Sequence, residues 1–245
     1  MDVSFRKNSI EDYLRKLGSG APTPGGGAAA ALTSAQGAAL IMMVANHTLG
    51  KPKYAEFEEL NTFILEEAEE LLAKLEAGMD KDAEAFGKVS EAYGLPRQFS
   101  DIQIDRVSAE IERLRAEGHT IDDINEEGMT AEIMDQIEDA LKADRQAAIG
   151  EASVEAAEAP LALMEDSLSA LRLAATMKGR SNKNLESDIY VAALSLAAGI
   201  RSANFNVEAN LPAIEKSDSD LASSMRLRAA AILAETDTII TGLLG

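Results

Sequence analysis

Two groups of residues in this 245-residue chain have types and spacings that could do chemistry. The first is a glycine turn. In "SGAPTPGGGAAAA", Pro24 leads into Gly25, Gly26 and Gly27, and an alanine-rich apolar run follows at once. Glycine lets backbone N–H groups reach a ligand, and a helix N-terminus favours negative charge, so such a turn can cradle an anion or a flat ligand. The lysine and Ser/Thr of a phosphate-binding P-loop are missing and no strand precedes the turn, so neither nucleotide fingerprint is met. Taken alone, a plain turn accounts for the motif. Three successive glycines raise the entropic cost of folding, however, and Gly18 already supplies a helix stop. Pro22 and Pro24 stiffen the entry. A loop both stiff and bare suits the close approach of a flat ligand or of another helix.

The second group comprises carboxylates, amides and cations. Asp82 lies in "KDAEAF", and Asp188 opens the apolar run "SDIYVAALSLAAG". Asn184 precedes Asp188 by four residues, and Asn206 and Asn210 have the same spacing, which puts each pair on one helical face. Amides offer both a donor and an acceptor. Lys51 and Lys53 flank Pro52, and Arg145 can bind a carboxylate through two parallel bonds. Each has a structural alternative. Asp82 fits a solvated helix face, Asp188 an ordinary first-turn acid, the lysines a C-terminal helix charge, and the asparagines caps or inter-helix hydrogen bonds.

Composition removes several function classes. Net charge is −19, with basic residues scattered, so nucleic acid is disfavoured as a partner. There is no cysteine, which excludes disulfides, cysteine-ligated metals and thiol nucleophiles. The two histidines, His47 and His119, are far apart; no metal site is expected. The opening "MDVSFRKNSIEDYL" has no apolar signal core, and the apolar run around "GAALIMMVAN" reads as too short to span a bilayer. The expectation is a cytoplasmic protein without a membrane partner.

The elements that must position these groups are helical. Helices are predicted over "SIEDYLRKLG", capped by Ser9, from about Ala28 to Gly50, over "KYAEF…LEAG" closed by Gly78, and over "MDKDAEAFGKVSEAYGLP". A long run follows Arg145, with Pro160 expected to kink it or mark a start. "RSNKN" reads as a turn, "LESDIY…EANL" as a second alanine-rich buried helix, and about Ser217 to Leu244 as a last one. No segment alternates like a strand for long. The expected fold is all-α, a bundle of long helices forming a single domain over residues 1–245, with an acidic helical insertion at about 98–144.

Four ordered blocks resemble the cyclodeaminase/cyclohydrolase family of folate one-carbon enzymes. They are "SGAPTPGGGAAAA…GAAL…MVAN…TLGKPKY", "DAEAF", "RQAAIGEASVEAAEAPL" and "NKNLESDIYVAALSLAAGIRSANFNVEANL". The last places Asn184, Asp188, Asn206, Val207 and Asn210 on the family pattern. Ala28 stands where many members carry serine, and Ser34 where a glycine is common. The resemblance implies an all-α cytoplasmic homodimer acting on folate adducts, with no metal and no cofactor beyond the tetrahydrofolate substrate.

It also implies the chemistry. 5,10-Methenyltetrahydrofolate is an amidinium-like cation; its hydrolysis to 10-formyltetrahydrofolate needs a water aimed at the one-carbon bridge, a base for its proton and a donor for the departing nitrogen. On this reading Asp82, Asp188 and Lys51 are catalytic: a carboxylate as base or gripping the pterin edge, the lysine as donor to the one-carbon oxygen. Pro24, Gly25, Gly26 and Gly27 form the niche, Lys53 and Arg145 pair with substrate carboxylates, and Asn184, Asn206 and Asn210 meet the pterin. All are expected in one cavity, within a subunit or across a subunit boundary. Cyclohydrolase activity is the first expectation; formiminotetrahydrofolate cyclodeaminase and a non-catalytic folate-binding or scaffold protein are the alternatives.

Overall fold

A computed structural model describes residues 4–97, 116 and 131–245. Among these residues there are six α-helices and no strand. They are α1 (Ile10–Leu17), α2 (Gly26–Asn46), α3 (Glu58–Tyr93), α4 (Ala131–Met177), α5 (Glu186–Glu215) and α6 (Ser219–Leu244). Short 3-10 turns at Phe5–Lys7, Pro52–Phe57 and Lys183–Leu185 join or precede them. The all-α expectation holds. Residues 98–130 of the expected insertion, His119 included, lie outside the described residues apart from Ala116, while residues 131–144 are the opening turns of α4.

Side-chain caps start two of the helices. The Ser9 hydroxyl accepts the Asp12 N–H at 3.1 Å to start α1, and Asp218 accepts the Leu221 N–H at 2.9 Å to start α6. Two expected breaks are absent. Gly78 does not close a helix; α3 is one element of 36 residues. Gly78 lies where α3 passes two neighbours: a Cβ there would meet Ala31 Cβ at 3.5 Å and Leu163 Cδ1 at 3.7 Å. Tertiary packing therefore overrides its weak helix propensity. Pro160 marks no helix start, since α4 runs through it, and α5 likewise continues past Pro212.

The bundle is built around α2, which packs against α3 and α5; α4 lies against α3 and α5, and α6 covers α5 and α4. The core is alanine, leucine, isoleucine, valine and methionine, with Phe5 and Tyr13 as its aromatics. Alanine and glycine faces let the α2 and α5 axes come close. A Cβ added at Gly199 would sit 2.0 Å from Ser34 Oγ and 3.1 Å from the Ala30 carbonyl oxygen. Ser34 is fully buried, and its hydroxyl accepts from Ser167 at 2.8 Å. Gly199 thus makes the room that Ser34 needs.

The apolar run expected to be too short for a bilayer is, once folded, a helix of 21 residues with mean hydropathy 1.6, long and apolar enough by length and composition. In the bundle α2 is a core helix, but only 56% of its most apolar window is buried. On α5, Val191, Leu194 and Phe205 are also exposed, at 51%, 49% and 75%.

Gly199→Ala should overpack the α2–α5 crossing at a cost of about 1–3 kcal/mol. For a chain of this size each kcal/mol corresponds to roughly 2–4 °C in melting temperature. Adding Ser34→Gly should restore part of the loss. Thermal denaturation of the single and double variants tests this; an unchanged melting temperature in Gly199→Ala would refute the crossing as described.

Candidate functional site

The glycine turn is occupied by a side chain from another helix. The Ala28 N–H donates to Asp82 Oδ2 at 3.1 Å. A Cβ on Gly27 would fall 1.9 Å from Asp82 Oδ1. No side chain at Gly25 caps α2, so the carboxylate of α3 serves the free N–H groups of the α2 N-terminus. This is why the turn is bare: any side chain at residue 27 would expel Asp82. Gly26 faces Asn206, where a Cβ would lie at an ordinary contact distance of 3.6 Å from Asn206 Oδ1. Pro24, Gly25, Gly26, Gly27, Asp82 and Asn206 therefore do come together.

The electrostatics of this end are unusual for an acidic protein. Burial pushes the Asp82 carboxyl above its ordinary range, and the Ala28 N–H only partly holds it back. Tyr13 of α1 is 3% exposed, and its hydroxyl has no hydrogen-bond partner among the described residues. Burial, and then the charge of Asp82, raise the Tyr13 hydroxyl. The Phe5 N–H and the Ser4 hydroxyl bind Asp80 at 2.6 and 2.9 Å, and Phe5 is buried. That anchor fixes the segment from which α1 presents Tyr13.

The opposite end of the bundle holds the other predicted residues. Asp188 lies in the first turn of α5, half-buried, and Lys51, Lys53 and Asn184 are exposed nearby. The Asn182 N–H donates to Thr48 Oγ1 at 2.9 Å and its side-chain amide to the His47 carbonyl at 3.1 Å, pinning the start of α5 to the end of α2. The Lys183 N–H donates to the Tyr54 hydroxyl at 3.0 Å, which is the main reason that hydroxyl lies below its usual range. A pocket of about 370 Å³ opens there, lined by Lys53, Tyr54, Asn182, Lys183, Glu186 and Ile189 among others.

Within one chain these two clusters do not meet. Asp188 and Asn206 are separated by eighteen residues of the continuous helix α5, about 27 Å at 1.5 Å per residue. The single cavity expected from the sequence is thus split, because two long helices, α2 and α5, hold its halves apart. Two further expectations change. Arg145 is engaged at the end of α3, donating to the Tyr93 carbonyl at 3.1 Å with its guanidinium 5.4 Å from the Tyr93 ring centre. Tyr93 lies eleven residues, about 16 Å, along α3 from Asp82. The Asn210 amide donates to the Ala156 and Asn206 carbonyls at 3.1 and 2.8 Å, so it joins α5 to α4.

Tyr13, Tyr54, Asn182, Lys183 and Glu186 belong to these clusters and carried no distinguishing sequence signal. Tyr13 had one faint mark: a polar aromatic on a short amphipathic helix, in a chain with only four tyrosines.

A raised folded-state pKa means that Asp82 favours folding relative to asparagine most below the unfolded carboxylate pKa, and that this advantage is lost as pH rises through the raised value. The melting temperature of Asp82→Asn relative to the unsubstituted chain should therefore climb between acid and neutral pH. A difference that stays flat across that range would contradict a burial-raised carboxyl.

A family model described as formiminotransferase-cyclodeaminase matches residues 9–118 and 123–231. The methenyltetrahydrofolate cyclohydrolase of Methylorubrum extorquens is 36% identical over 207 residues, covering 84% of this chain and 81% of that protein. The pig formimidoyltransferase-cyclodeaminase is 28% identical over 97% of this chain, which spans 36% of that longer protein. The crystal structure of a formiminotetrahydrofolate cyclodeaminase from Thermotoga maritima superposes with a TM-score of 0.64 over 98% of both chains at 22% identity, a likeness of fold. With a model matched along nearly all of its length and a relative 36% identical over 84% of it, this chain belongs to the formiminotransferase-cyclodeaminase family.

Proposed function

We propose that this chain hydrolyses 5,10-methenyltetrahydrofolate to 10-formyltetrahydrofolate, as a cytoplasmic homodimer needing no metal and no cofactor beyond the folate. The observation that carries the reading is Asp82, a half-buried carboxylate held at the bare start of α2 with its pKa raised. A cationic substrate would find there a charge complement, and an attacking water a base more basic than an ordinary carboxylate. The 36% identity to a protein named for this reaction supports it.

The step balances as follows. Water adds its oxygen to the bridge carbon, the C=N π pair moves onto nitrogen, and Asp82 takes one water proton. The resulting carbinolamine loses its bond to N5, whose electron pair receives that proton, and the carbinol proton leaves as the formyl C=O forms. The second reading, formiminotetrahydrofolate cyclodeaminase, is favoured by the 28% identity that runs along 97% of the chain. It passes through the same kind of tetrahedral carbon between two nitrogens.

The dimer would repair the split site. Residues 188 and 206 are symmetric about residue 197, and the exposed apolar stripe of α5 is centred there, with Val191 and Leu194 on one side and Phe205 on the other. A two-fold axis across that stripe would run the two α5 helices antiparallel and set Asp188 of one copy beside Asn206 of the other. Lys51 and Lys53 would then approach the glycine end, where they can meet the one-carbon oxygen and the glutamate carboxylates.

Loss of methenyl-folate absorbance on adding the protein should exceed the buffer rate, and Asp82→Asn should lower that rate by roughly 10²–10⁴-fold, the usual worth of a general base. Binding without turnover of either the methenyl or the formimino substrate would instead identify a folate-binding protein. The double substitution Leu194→Glu, Phe205→Glu should give a monomer in sedimentation and abolish turnover; full activity in a monomer would refute the shared site.

A further inference from the structure

Resting on the cyclohydrolase reading, we infer that the pocket walled by residues 51–54 and 178–186 is a subsite for the acylglutamate end of the substrate, with Lys183 as a specificity-determining residue that pairs with a glutamate carboxylate. The pocket offers about 370 Å³, within the range of about 300–1,000 Å³ usual for small-molecule sites. Its two walls carry Lys51 and Lys53 on one side and Lys178, Arg180 and Lys183 on the other, five of the 23 basic residues of a chain with net charge −19. Among the described residues none of the five forms an ion pair. Lys178 and Arg180 donate to the Leu243 and Thr176 carbonyls, and the Lys53 ammonium lies 5.3 Å from the Tyr54 ring centre. Elsewhere cations such as Lys88, Arg172 and Arg228 find carboxylates. Cations gathered without counter-charge repel one another, and an anionic ligand relieves that.

The place of Lys183 is built into the backbone. Gly179, at φ +74°, turns the chain after α4. The Asn182 N–H is held by Thr48 Oγ1 and the Lys183 N–H by the Tyr54 hydroxyl, so the wall bearing Lys183 is fixed to the wall bearing Lys53. That N–H, and then the Lys53 and Lys51 charges, hold the Tyr54 hydroxyl below its usual range against the effect of burial. The sequence gave the second tail-binding role to Arg145, which the structure commits to Tyr93. Lys183 instead shares a cavity with Lys53. One carboxylate, Glu186, also lines the pocket, and it narrows the ligand class. Its Oε1 accepts from the Tyr190 hydroxyl at 3.0 Å and keeps further acceptor capacity. It would repel a bare phosphate. An acylglutamate gives it an amide N–H beside the carboxylates that the lysines take, and the proposed substrate ends in such a group.

The test is calorimetric titration of the full chain, at low salt, with p-aminobenzoyl-L-glutamate and with inorganic phosphate. The acylglutamate should bind and phosphate should not. Lys183→Ala should weaken the acylglutamate roughly tenfold, the order of one hydrogen bond to a charged group. It should raise the KM for methenyl-folate by a similar factor, with the melting temperature unchanged and kcat within about twofold, since a contact made equally in ground and transition states moves KM. No binding of the acylglutamate, tighter binding of phosphate, or an affinity or KM unmoved by Lys183→Ala overturns this inference, while turnover by the unsubstituted protein still upholds the function. Absence of turnover in the unsubstituted protein overturns the function, and the ligand named here with it.

Discussion

The contact between the Asp82 carboxylate and the N-terminus of α2 is the constraint on which one whole end of the molecule depends. A helix that starts on glycine has no side chain to satisfy its first N–H groups. Here the missing acceptor comes from α3, and the Ala28 N–H donates to it directly. The contact is possible only because Gly27 has no Cβ. It also leaves the carboxylate short of water, which is why its proton affinity rises. Helix capping and the tuning of an acid–base group are thus one interaction, and a change that improves the first harms the second.

The surrounding bundle exists to hold that contact at close range. With few aromatics available, the core is filled by small and aliphatic side chains along long helices. Close axes follow wherever glycine faces a polar or bulky partner, as Gly199 does Ser34. Long helices have a consequence for the site. They carry precise positions over a distance, but they also keep the two ends of α2 about 30 Å apart and those of α5 about 45 Å apart. Groups that we propose act together sit at opposite ends of one chain. The uncovered apolar stripe on α5 is the feature that a second copy would use to bring them into register.

The arrangement of charge follows the same logic. Ion pairs such as Arg172 with Glu235 and Arg228 with Glu158 and Glu165 lie on the outer surfaces of α4 and α6, where solvent screens them. The ionisable group with the larger consequence is Asp82, which has no cation partner among the described residues and leans on a helix dipole and one backbone N–H. The cationic substrate we propose would be better served by a carboxylate that no resident cation already neutralises.

Much of this was legible in the residues alone. Hydrophobic spacing of 3.6 residues set the helical class, Ser9 marked a helix start, and the run "PGGG" left open a plain turn or a close approach to its backbone. The four blocks marked the family. What they could not decide was what approaches and from where. That Asp82 rather than a ligand fills the space at Gly27, that Gly78 lies inside a helix, that Arg145 serves Tyr93, and that Asp188 is remote from Asp82 all depend on how helices pair. Local sequence determines which residues share a face of one helix, because the backbone repeat is fixed. Only tertiary packing decides which faces of different helices meet, since that is set by side-chain volumes summed over elements far apart in the chain.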